Sequence, residues 1–188
     1  MKKAENLREA KQIDMYDVVA DPKEGRGKEW LPDATFYDSS PIELKTGQRR
    51  LLSNGKRGAG QFSTTRNYTL GCFGSRAYAP DIHWILTYYD REQGNKFYEH
   101  WYCAPGWLDK WQAKQRYKLL RGNNTRLQDL FDKIDDTELR EILIKQIHLN
   151  DPKISSTYIE NNPLCVKFDG TPEGLLQARE KIGVALAA

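Results

Sequence analysis

Three residues near the start of the chain have types and spacing that could build a centre for phosphodiester hydrolysis. Asp33 follows a proline, nine residues separate it from Glu43, and Lys45 comes two positions later. Two carboxylates can share a hard divalent cation such as Mg²⁺, which keeps water ligands and open positions for phosphate oxygens. Such a cation lowers the pKa of bound water and stabilises charge on phosphorus, and a neighbouring ammonium can orient the attacking water. The alternative is a hairpin whose charged face is only solvated.

The segment between the two acids predicts the hairpin that would bring them together. A turn-prone stretch, Asp-Ser-Ser-Pro at residues 38–41, divides residues 32–45 into two antiparallel strands. Because side chains alternate along a strand, Ile42 and Leu44 should face the core while Glu43 and Lys45 share the opposite face. The return of the chain would then set Asp33 beside that face.

Other residues offer weaker metal-binding patterns. Glu24 and Glu29 precede the hairpin and could each add a carboxylate, Glu29 being the better placed, with a solvated glutamate as the alternative. The histidines and cysteines lack the paired spacing of a zinc site. An odd number of widely spaced cysteines predicts reduced thiols in a cytoplasmic protein; the three are Cys72, Cys103 and Cys165.

Length and composition predict one soluble domain over residues 1–188. The chain is 39% hydrophobic and 29% charged, which excludes a disordered chain, and 188 residues can bury a substantial core. No apolar run approaches the ~20 residues of a membrane span, and the first residues lack the apolar segment of a signal peptide. We therefore expect a cytoplasmic protein without a membrane partner.

Basic residues are concentrated in one part of the chain, although the net charge is only +3. Residues 45–66 contain no acid and several glycines, which predicts a flexible loop at 47–61 that orders on DNA. A solvated loop is the alternative. The basic residues of this segment are Lys45, Arg49, Arg50, Lys56, Arg57 and Arg66.

A run of polar residues at 63–67 follows that loop on strand-prone sequence. Arginine can pair with guanine, asparagine with adenine, and serine or threonine with either, so a ribbon in the major groove could read bases here. An ordinary polar strand edge is the alternative interpretation. The candidate base-reading residues are Ser63, Thr64, Thr65, Arg66 and Asn67.

Periodicity predicts a mixed α/β fold of the α+β kind. Residues 4–19 predict a helix with the apolar face Leu7, Ala10, Ile13 and Val18. Residues 82–89 and 95–102 predict paired strands joined by a turn, with their aromatic residues in the core and with His83 and His100 in structural roles. Residues 164–168 predict a further strand.

Helices are predicted on either side of that last strand. Residues 106–121, 125–134 and 136–149 predict three helices, interpreted as an insertion over about 104–150. Thr171 and Pro172 predict the start of a final helix, whose buried stripe should be Leu175, Ala178, Ile182 and Leu186. We find no Walker A loop, Ser-His-Asp arrangement, dinucleotide-binding motif or internal repeat.

Three blocks of sequence, in this order, resemble the PD-(D/E)XK nuclease family and, within it, type II restriction endonucleases. The first block, residues 32–46, opens with PDATFYD and closes with PIELKT, and it resembles that family's active-site hairpin. The second, QFSTTRN at 61–67, resembles a recognition strand, and the third, NNPLCVKF at 161–168, resembles an Asn-Asn-Pro segment with its following strand.

The resemblance implies a restriction-endonuclease-like core with flanking helices. It implies that Asp33, Glu43 and the backbone carbonyl of Leu44 hold Mg²⁺, with Glu29 as a further candidate ligand, and that Lys45 positions the attacking water. It further implies a homodimer that cuts both strands of a short palindrome in double-stranded DNA and leaves 5′-phosphate ends, in a bacterial or archaeal cell with a cognate DNA methyltransferase. The implied DNA contacts are Ser63 to Asn67, Asn161 and Asn162, together with the basic loop residues Arg49, Arg50, Lys56 and Arg57.

The chain also departs from the family pattern. Thr65, Arg66 and Asn67 stand where the family strand has histidines, so the recognised sequence should differ. The loop after Lys45 is longer, the chain before the hairpin is shorter, and residues 104–150 carry extra helices, so the dimer interface does not carry over. Alternatives are a junction resolvase or repair nuclease, which needs the same metal site, and a DNA-binding protein without catalysis.

Overall fold

The computed structural model describes residues 2–21, 32–63, 81–112, 114 and 153–188. The chain divides into two compact units. The first consists of Met1–Phe62, Asp81–Trp107 and Ile154–Ala188, and the second consists of Ser63–Pro80 and Leu108–Lys153. The first unit contains the predicted hairpin and most of the described residues, so the fold is given for that unit.

A six-stranded mixed sheet forms the centre of the first unit. In their spatial order, its strands are β1 (Val19–Ala20), β2 (Ala34–Thr35), β3 (Pro41–Gln48), β5 (His83–Asp90), β6 (Lys96–Cys103) and β8 (Cys165–Phe168). The β3–β5 pair is parallel, and every other neighbouring pair is antiparallel. The mixed α+β class predicted from the sequence is therefore confirmed.

The β2–β3 hairpin forms where the turn-prone residues predicted it. Ala34 pairs with Ile42, and the Phe36 backbone N–H donates to the Ser40 carbonyl at 3.0 Å. The Asp38 carboxylate accepts the Ser40 backbone N–H at 3.0 Å, and Ser39 takes a left-handed φ of 67°. A short polar side chain that bonds its own backbone favours such a turn.

The paired strands predicted at 82–89 and 95–102 are present as β5 and β6. A short 3₁₀ helix, Arg91–Gln93, joins them, and the Asp90 carboxylate caps it by accepting the Glu92 backbone N–H. Gly94 has the left-handed φ of 69° that reverses the chain. The aromatic residues of these strands are largely buried, as predicted: Trp84, Tyr88, Tyr89, Phe97, Trp101 and Tyr102.

Two long helices pack against one face of the sheet: α1 (Lys2–Tyr16) and α3 (Pro172–Ala187), whose start at Thr171 and Pro172 is as predicted. The helix α3 buries Leu175, Ala178 and Ile182 against the core, but Leu186 is 64% exposed. Leu186 has nearly the same angular position as Leu175, so its prediction as a buried residue is wrong because the last turn extends past the packed surface. The core residues on the sheet side include Ile42, Leu44, Ile85 and Tyr102.

The helix α1 is present, and its predicted apolar face is confirmed only in part: Ile13 packs against the core and Val18 is buried, whereas Leu7 and Ala10 are exposed. Leu7 is 66% exposed and Val18 lies beyond the helix end, where Asp17 has a φ of 52°. The buried positions on α1 are Gln12 and Tyr16. Both make hydrogen bonds with the sheet, and a bonded polar group can be buried at little cost.

The chain after β3 forms a bridged hairpin, whereas a flexible loop was expected. Leu51 pairs with Arg57, the Leu52 N–H donates to the Lys56 carbonyl at 2.8 Å, and the Gly58 N–H donates to the Arg50 carbonyl at 2.9 Å. We call residues 49–58 the basic hairpin. Cross-strand backbone bonds order it without DNA, because they pair donors that would otherwise be solvated.

The other face of the sheet is approached by a second, two-stranded sheet. It pairs β4 (Gln61–Ser63) with β7 (Lys153–Ser155), and the helix α2 (Ser156–Glu160) follows. A Cβ at Gly47 of β3 would lie 2.7 Å from the Gln61 carbonyl oxygen, so only glycine lets the two backbones approach this closely.

Several predictions fall mostly outside the described residues. The helices at 125–134 and 136–149 lie wholly outside; of the helix predicted at 106–121, residues 109–112 and 114 are helical and residues 105–108 form a turn. The single domain with a helical insertion over about 104–150 therefore stays a prediction. Across the ranges that are described, no helix has the length and apolar character needed to cross a membrane.

Candidate active site

The hairpin holds the Asp33 carboxylate against the segment that contains Glu43 and Lys45. Asp33 immediately precedes β2, and its backbone N–H donates to the Ile42 carbonyl at 3.0 Å. Its Oδ2 accepts the backbone N–H of Leu44, the residue between Glu43 and Lys45, at 2.8 Å. The bond fixes the direction of the Asp33 side chain. The hairpin therefore gathers all three predicted residues at one place.

Glu43 and Lys45 form an ion pair on the face of β3 opposite the helices. Ile42 and Leu44 face the core, as predicted, so strand alternation directs the other two side chains away from it. Lys45 Nζ contacts Glu43 Oε1, and only 6% of the Glu43 side chain is exposed, against 20% for Lys45. A buried carboxylate is costly without a compensating charge, and Lys45 supplies that charge.

Apolar residues flank this ion pair on the neighbouring strand. In the parallel register Glu43 lies beside Trp84, and Lys45 lies beside Leu86. Both neighbours are buried, and the Trp84 ring packs edge-on against Trp107 at 5.6 Å between centroids. Water is scarce beside such groups, so charges there interact more strongly than at an open surface.

The donor set suits a hard cation such as Mg²⁺. The carboxylates of Asp33 and Glu43 and the backbone carbonyl of Leu44 are all oxygen ligands, which Mg²⁺ prefers, and it commonly binds one or two protein carboxylates while keeping its waters. Among the described residues, no group of three or more His, Cys, Asp or Glu side chains is placed to hold a metal ion. Glu24 and Glu29, the further candidates, lie outside the described residues.

Among the predicted DNA contacts, Arg50, Lys56 and Asn161 have exposed side chains. Arg50 pairs with Glu92 at 3.1 Å, but both side chains are more than half exposed, so this pair contributes little to stability. Lys56 lies near the tip of the basic hairpin. Asn161 donates to the Thr157 carbonyl at 2.9 Å, and its side-chain oxygen can still accept. These three can reach a ligand without leaving the fold.

Arg49 is instead occupied by contacts within the protein. Its guanidinium is 12% exposed and lies 2.9 Å from a carboxylate oxygen of Glu99 and 2.9 Å from one of Glu160. Its Nε donates to the Gly58 carbonyl at 2.8 Å, and the Trp101 indole donates to the same Glu99 oxygen. This geometry favours a structural role for Arg49, which joins the basic hairpin to β6 and α2.

Arg57 and Asn162 are also engaged within the fold. The Arg57 guanidinium lies over the Tyr98 ring at 3.5 Å and 3.6 Å from the Asp90 carboxylate. Asn162 donates from Nδ2 to the Trp107 carbonyl at 2.7 Å and accepts the Leu164 backbone N–H at 3.0 Å. A DNA contact by either residue would require one of these bonds to be exchanged.

The predicted base-reading residues lie almost entirely outside the described part of the chain. Ser63 is the last residue of β4, and Thr64, Thr65, Arg66 and Asn67 are not described. Their role stays a prediction.

The predicted structural roles of His83 and His100 agree with their contacts. His83 Nδ1 shares a hydrogen bond of 2.8 Å with the Tyr102 hydroxyl, and burial lowers the pKa of His83 to about 4. His100 Nδ1 bonds the Tyr16 hydroxyl at 2.7 Å, and burial lowers its pKa as well. Both rings are therefore neutral near pH 7. Neither contacts the Asp33, Glu43 and Lys45 cluster in any described interaction.

The described cysteines are reduced, as expected. Cys103 and Cys165 are both buried with free thiols, and they are register partners on β6 and β8. Burial raises the pKa of the Cys103 thiol, and the neighbouring Cys165 raises it further. A protonated, buried thiol is a poor nucleophile and a poor metal ligand. Cys72 lies outside the described residues.

The residues that contact the candidate strand from α1 were missed in the sequence. Gln12 donates from Nε2 to the Lys45 carbonyl at 3.3 Å, and Arg8 donates from Nε to the Thr46 hydroxyl at 3.1 Å. With Tyr16 they recur every fourth residue and so lie along one side of the helix. That spacing was visible in the sequence, but polar residues are ordinarily assigned to the solvated face of a helix.

No protein-family model matches the chain, and a search of curated proteins finds no significant match. The arguments for function therefore rest on the residues and their geometry.

Proposed function

We propose that this chain is a Mg²⁺-dependent nuclease of the PD-(D/E)XK kind that acts as a type II restriction endonuclease on double-stranded DNA. The observation that carries the proposal is the hydrogen bond from the Leu44 backbone to the Asp33 carboxylate, at 2.8 Å. It holds the first acid beside a buried Glu43 and Lys45 ion pair. Two acids and a lysine on one hairpin form the minimal constellation for metal-assisted phosphodiester hydrolysis.

The surrounding fold supports the proposal. Glu43 and Lys45 lie on β3, and Asp33 immediately precedes the adjacent β2, in a mixed sheet whose opposite face is covered by α1 and α3. Strands locate side chains more exactly than loops do, because the sheet sets both their height and their direction. This arrangement is compatible with a restriction-endonuclease-like core with flanking helices, which is part of the proposal.

Asp33, Glu43 and the Leu44 carbonyl would hold Mg²⁺, which when bound supplies Lewis acidity at the phosphate and acidifies a coordinated water. The Lys45 ammonium would orient the attacking water and offset charge on the phosphate. The water oxygen forms a bond to phosphorus and gives up a proton to solvent as the bond between phosphorus and the 3′ oxygen breaks. The 3′ oxygen takes a proton from solvent, and the products are a 5′-phosphate and a 3′-hydroxyl.

The partners follow from that reaction. Arg50 and Lys56 extend the basic surface beyond β3, where phosphates of the duplex would lie. Cutting both strands of a palindrome calls for a symmetric homodimer with one site on each strand. A sequence-specific nuclease in a bacterial or archaeal cytoplasm also calls for a cognate methyltransferase, because host DNA carries the same sites.

Digestion of a sequenced plasmid with Mg²⁺, and then with EDTA, tests the proposal directly. Discrete fragments with a common terminal sequence, formed only with Mg²⁺, are the expected result and would define the recognition site. Cleavage of branched DNA alone would favour the resolvase alternative. DNA binding without any cleavage would favour the non-catalytic alternative.

Lys45→Ala separates catalysis from binding. Loss of the ammonium should reduce cleavage to background while specific DNA binding in a gel-shift assay persists, because Lys45 acts on the water and the phosphate at the cleaved bond. Lys167→Ala, at an exposed lysine on β8 of the same sheet, is the matched control and should cut normally. Undiminished cutting by the Lys45 variant would remove this residue from the mechanism.

A further inference from the structure

We infer that Gln12 is a positioning residue for the proposed nuclease site, acting on strand β3 from the face opposite the site. The inference rests on the proposed function. Gln12 is 1% exposed, and its Nε2 donates to the backbone carbonyl of Lys45 at 3.3 Å and to the Thr87 hydroxyl at 2.9 Å. The bond to Lys45 joins a helix side chain to the backbone of a proposed site residue.

Gln12 belongs to a stripe along α1 that contains Arg8, Gln12 and Tyr16. Arg8 reaches the Thr46 hydroxyl of β3, and Tyr16 shares hydrogen bonds with Thr87 of β5 and, at 2.7 Å, with His100 of β6. The stripe therefore contacts three neighbouring strands in turn. Side chains four residues apart on a helix lie one above another, so a single helix orientation satisfies all of these bonds.

A hydrogen-bonded buried polar network adds little net stability when a helix packs on a sheet. Each of these groups loses water, and apolar side chains of similar volume would pack at least as favourably. Hydrogen bonds, unlike apolar contacts, require a specific distance and direction. The network thus specifies where β3 lies relative to β5 and β6, and Lys45 and Thr46 are the residues of β3 that it contacts.

The buried part of the network, Gln12 with Tyr16, Thr87 and His100, is uncharged near neutral pH and therefore acts through position. The titratable side chains of this network are Tyr16, on the same helix as Gln12, and His100 of β6, which bonds the Tyr16 hydroxyl. Lys45 contacts Gln12 through its backbone carbonyl. Burial raises the pKa of Tyr16 and lowers that of His100, so both stay neutral. The Lys45 ammonium points to the other face of the sheet, where Glu43 is its partner.

The test is single-turnover cleavage of a DNA fragment that the wild-type protein cuts, with Gln12→Leu in excess over DNA. We expect the rate constant to fall about 10- to 100-fold, since misplacement of a catalytic group by about 1 Å can cost about 100-fold. The DNA dissociation constant, measured with Ca²⁺ in place of Mg²⁺, should stay within about twofold of wild type, because no contact with DNA is removed.

Tyr16→Phe is the matched control. It removes a hydroxyl from the same network and should lower stability, yet it leaves the Gln12 bond to Lys45, so its rate constant should stay within about threefold of wild type. Arg8→Met removes the bond to Thr46 from a half-buried position and should slow cleavage about threefold or more without unfolding the protein. It therefore tests the inference even where Gln12→Leu fails to fold.

The outcomes separate this inference from the proposed function. If the wild-type protein cuts DNA, and Gln12→Leu and Arg8→Met each cut it as fast as wild type, the inference is overturned while the proposed function stands. Equal slowing by Tyr16→Phe and Gln12→Leu would also overturn it, since general loosening would then explain both. A wild-type protein that cuts no DNA would overturn the proposed function and this inference together.

Discussion

The helices α1 and α3 cover the same face of the sheet by different means. The helix α3 presents an apolar stripe of Leu175, Ala178 and Ile182. The helix α1 also packs apolar groups, Ile13, Met15 and the Tyr16 ring, but it adds buried hydrogen-bonding groups on Gln12 and Tyr16. Apolar burial stabilises in proportion to area and tolerates small shifts. Buried hydrogen bonds contribute less net free energy but tolerate no such shift. The molecule thus derives stability from α3 and alignment of its strands from α1.

The difference matters because α1 lies behind the strand that carries Glu43 and Lys45. A helix held only by apolar packing could slide by a fraction of an ångström at little cost, and the strand beneath it could move too. The bonds from Gln12 and Arg8 to residues 45 and 46 oppose such movement. We expect mutations in α3 to change stability, and mutations of Gln12 or Arg8 in α1 to change the site as well.

The largest effect should come from Leu175→Ala in α3. Leu175 is 1% exposed, and removal of a buried leucine side chain should lower the free energy of unfolding by about 2–5 kcal/mol. Urea denaturation followed by circular dichroism measures this loss. Leu176→Ala, at the adjacent 56% exposed position, is the control and should stay within about 0.5 kcal/mol of wild type. Similar losses for both would contradict the packing described for α3.

Tyr16→Phe should have a smaller effect on stability. It leaves the ring in the core but removes the hydroxyl that bonds Thr87 and His100, which should cost about 1–3 kcal/mol because the buried imidazole loses a partner. The same denaturation measurement applies. Tyr37→Phe removes an exposed hydroxyl that bonds Asp17 and should change stability by less than about 0.5 kcal/mol. If Tyr16→Phe leaves the free energy of unfolding unchanged, these hydrogen bonds contribute nothing measurable to stability.

The smallest effect should be a loss of stability in acid from His83, which lies near Arg179 of α3. Burial, with a smaller contribution from Arg179, lowers its pKa from 6.5 to about 4. The unfolded chain binds the proton first, so the contribution of His83 is complete above pH 6.5 and is lost as the pH falls toward 4. Because the ring is partly exposed, we expect a loss of about 1 kcal/mol.

The measurement compares the free energy of unfolding of wild type and His83→Gln between pH 7 and pH 4. The variant cannot titrate at this position, so the difference in free energy of unfolding between wild type and variant should become smaller in acid. The effects of the carboxylates that both proteins share cancel in this difference. A constant difference would show that His83 titrates normally in the folded protein.

The parts predicted well from the sequence are those governed by local patterns. The Asp38 to Pro41 turn, the alternation of Ile42 and Leu44 with Glu43 and Lys45, the β5–β6 pair and the Thr171 cap are all present. In each case neighbours in the chain determine the conformation. The predicted turn and strand alternation also indicated that the hairpin brings Asp33 beside Glu43 and Lys45.

The errors arose where distant residues decide an outcome. The apolar face assigned to α1 was wrong at Leu7 and Ala10, which are exposed. It also left out Gln12 and Tyr16, which are buried because residues 87 and 100, far along the chain, provide their partners. The loop assigned to 47–61 forms a hairpin partly because Asp90 and Tyr98 bond its backbone. Arg49 was predicted to contact DNA because it lies in a basic segment, but in the fold it forms ion pairs with Glu99 and Glu160.

Local sequence dictates the strand and turn pattern of the hairpin and the carboxylate and ammonium types at its centre. It also dictates the stripe of α3 from Leu175 to Ile182. These features depend on steric preferences and on periodicity within a few residues. Only the tertiary structure decided which polar residues are buried, which basic residues remain exposed and which helix bonds the backbone of Lys45. Those outcomes depend on hydrogen-bond partners supplied by strands far away in the chain, and no local pattern encodes such partners.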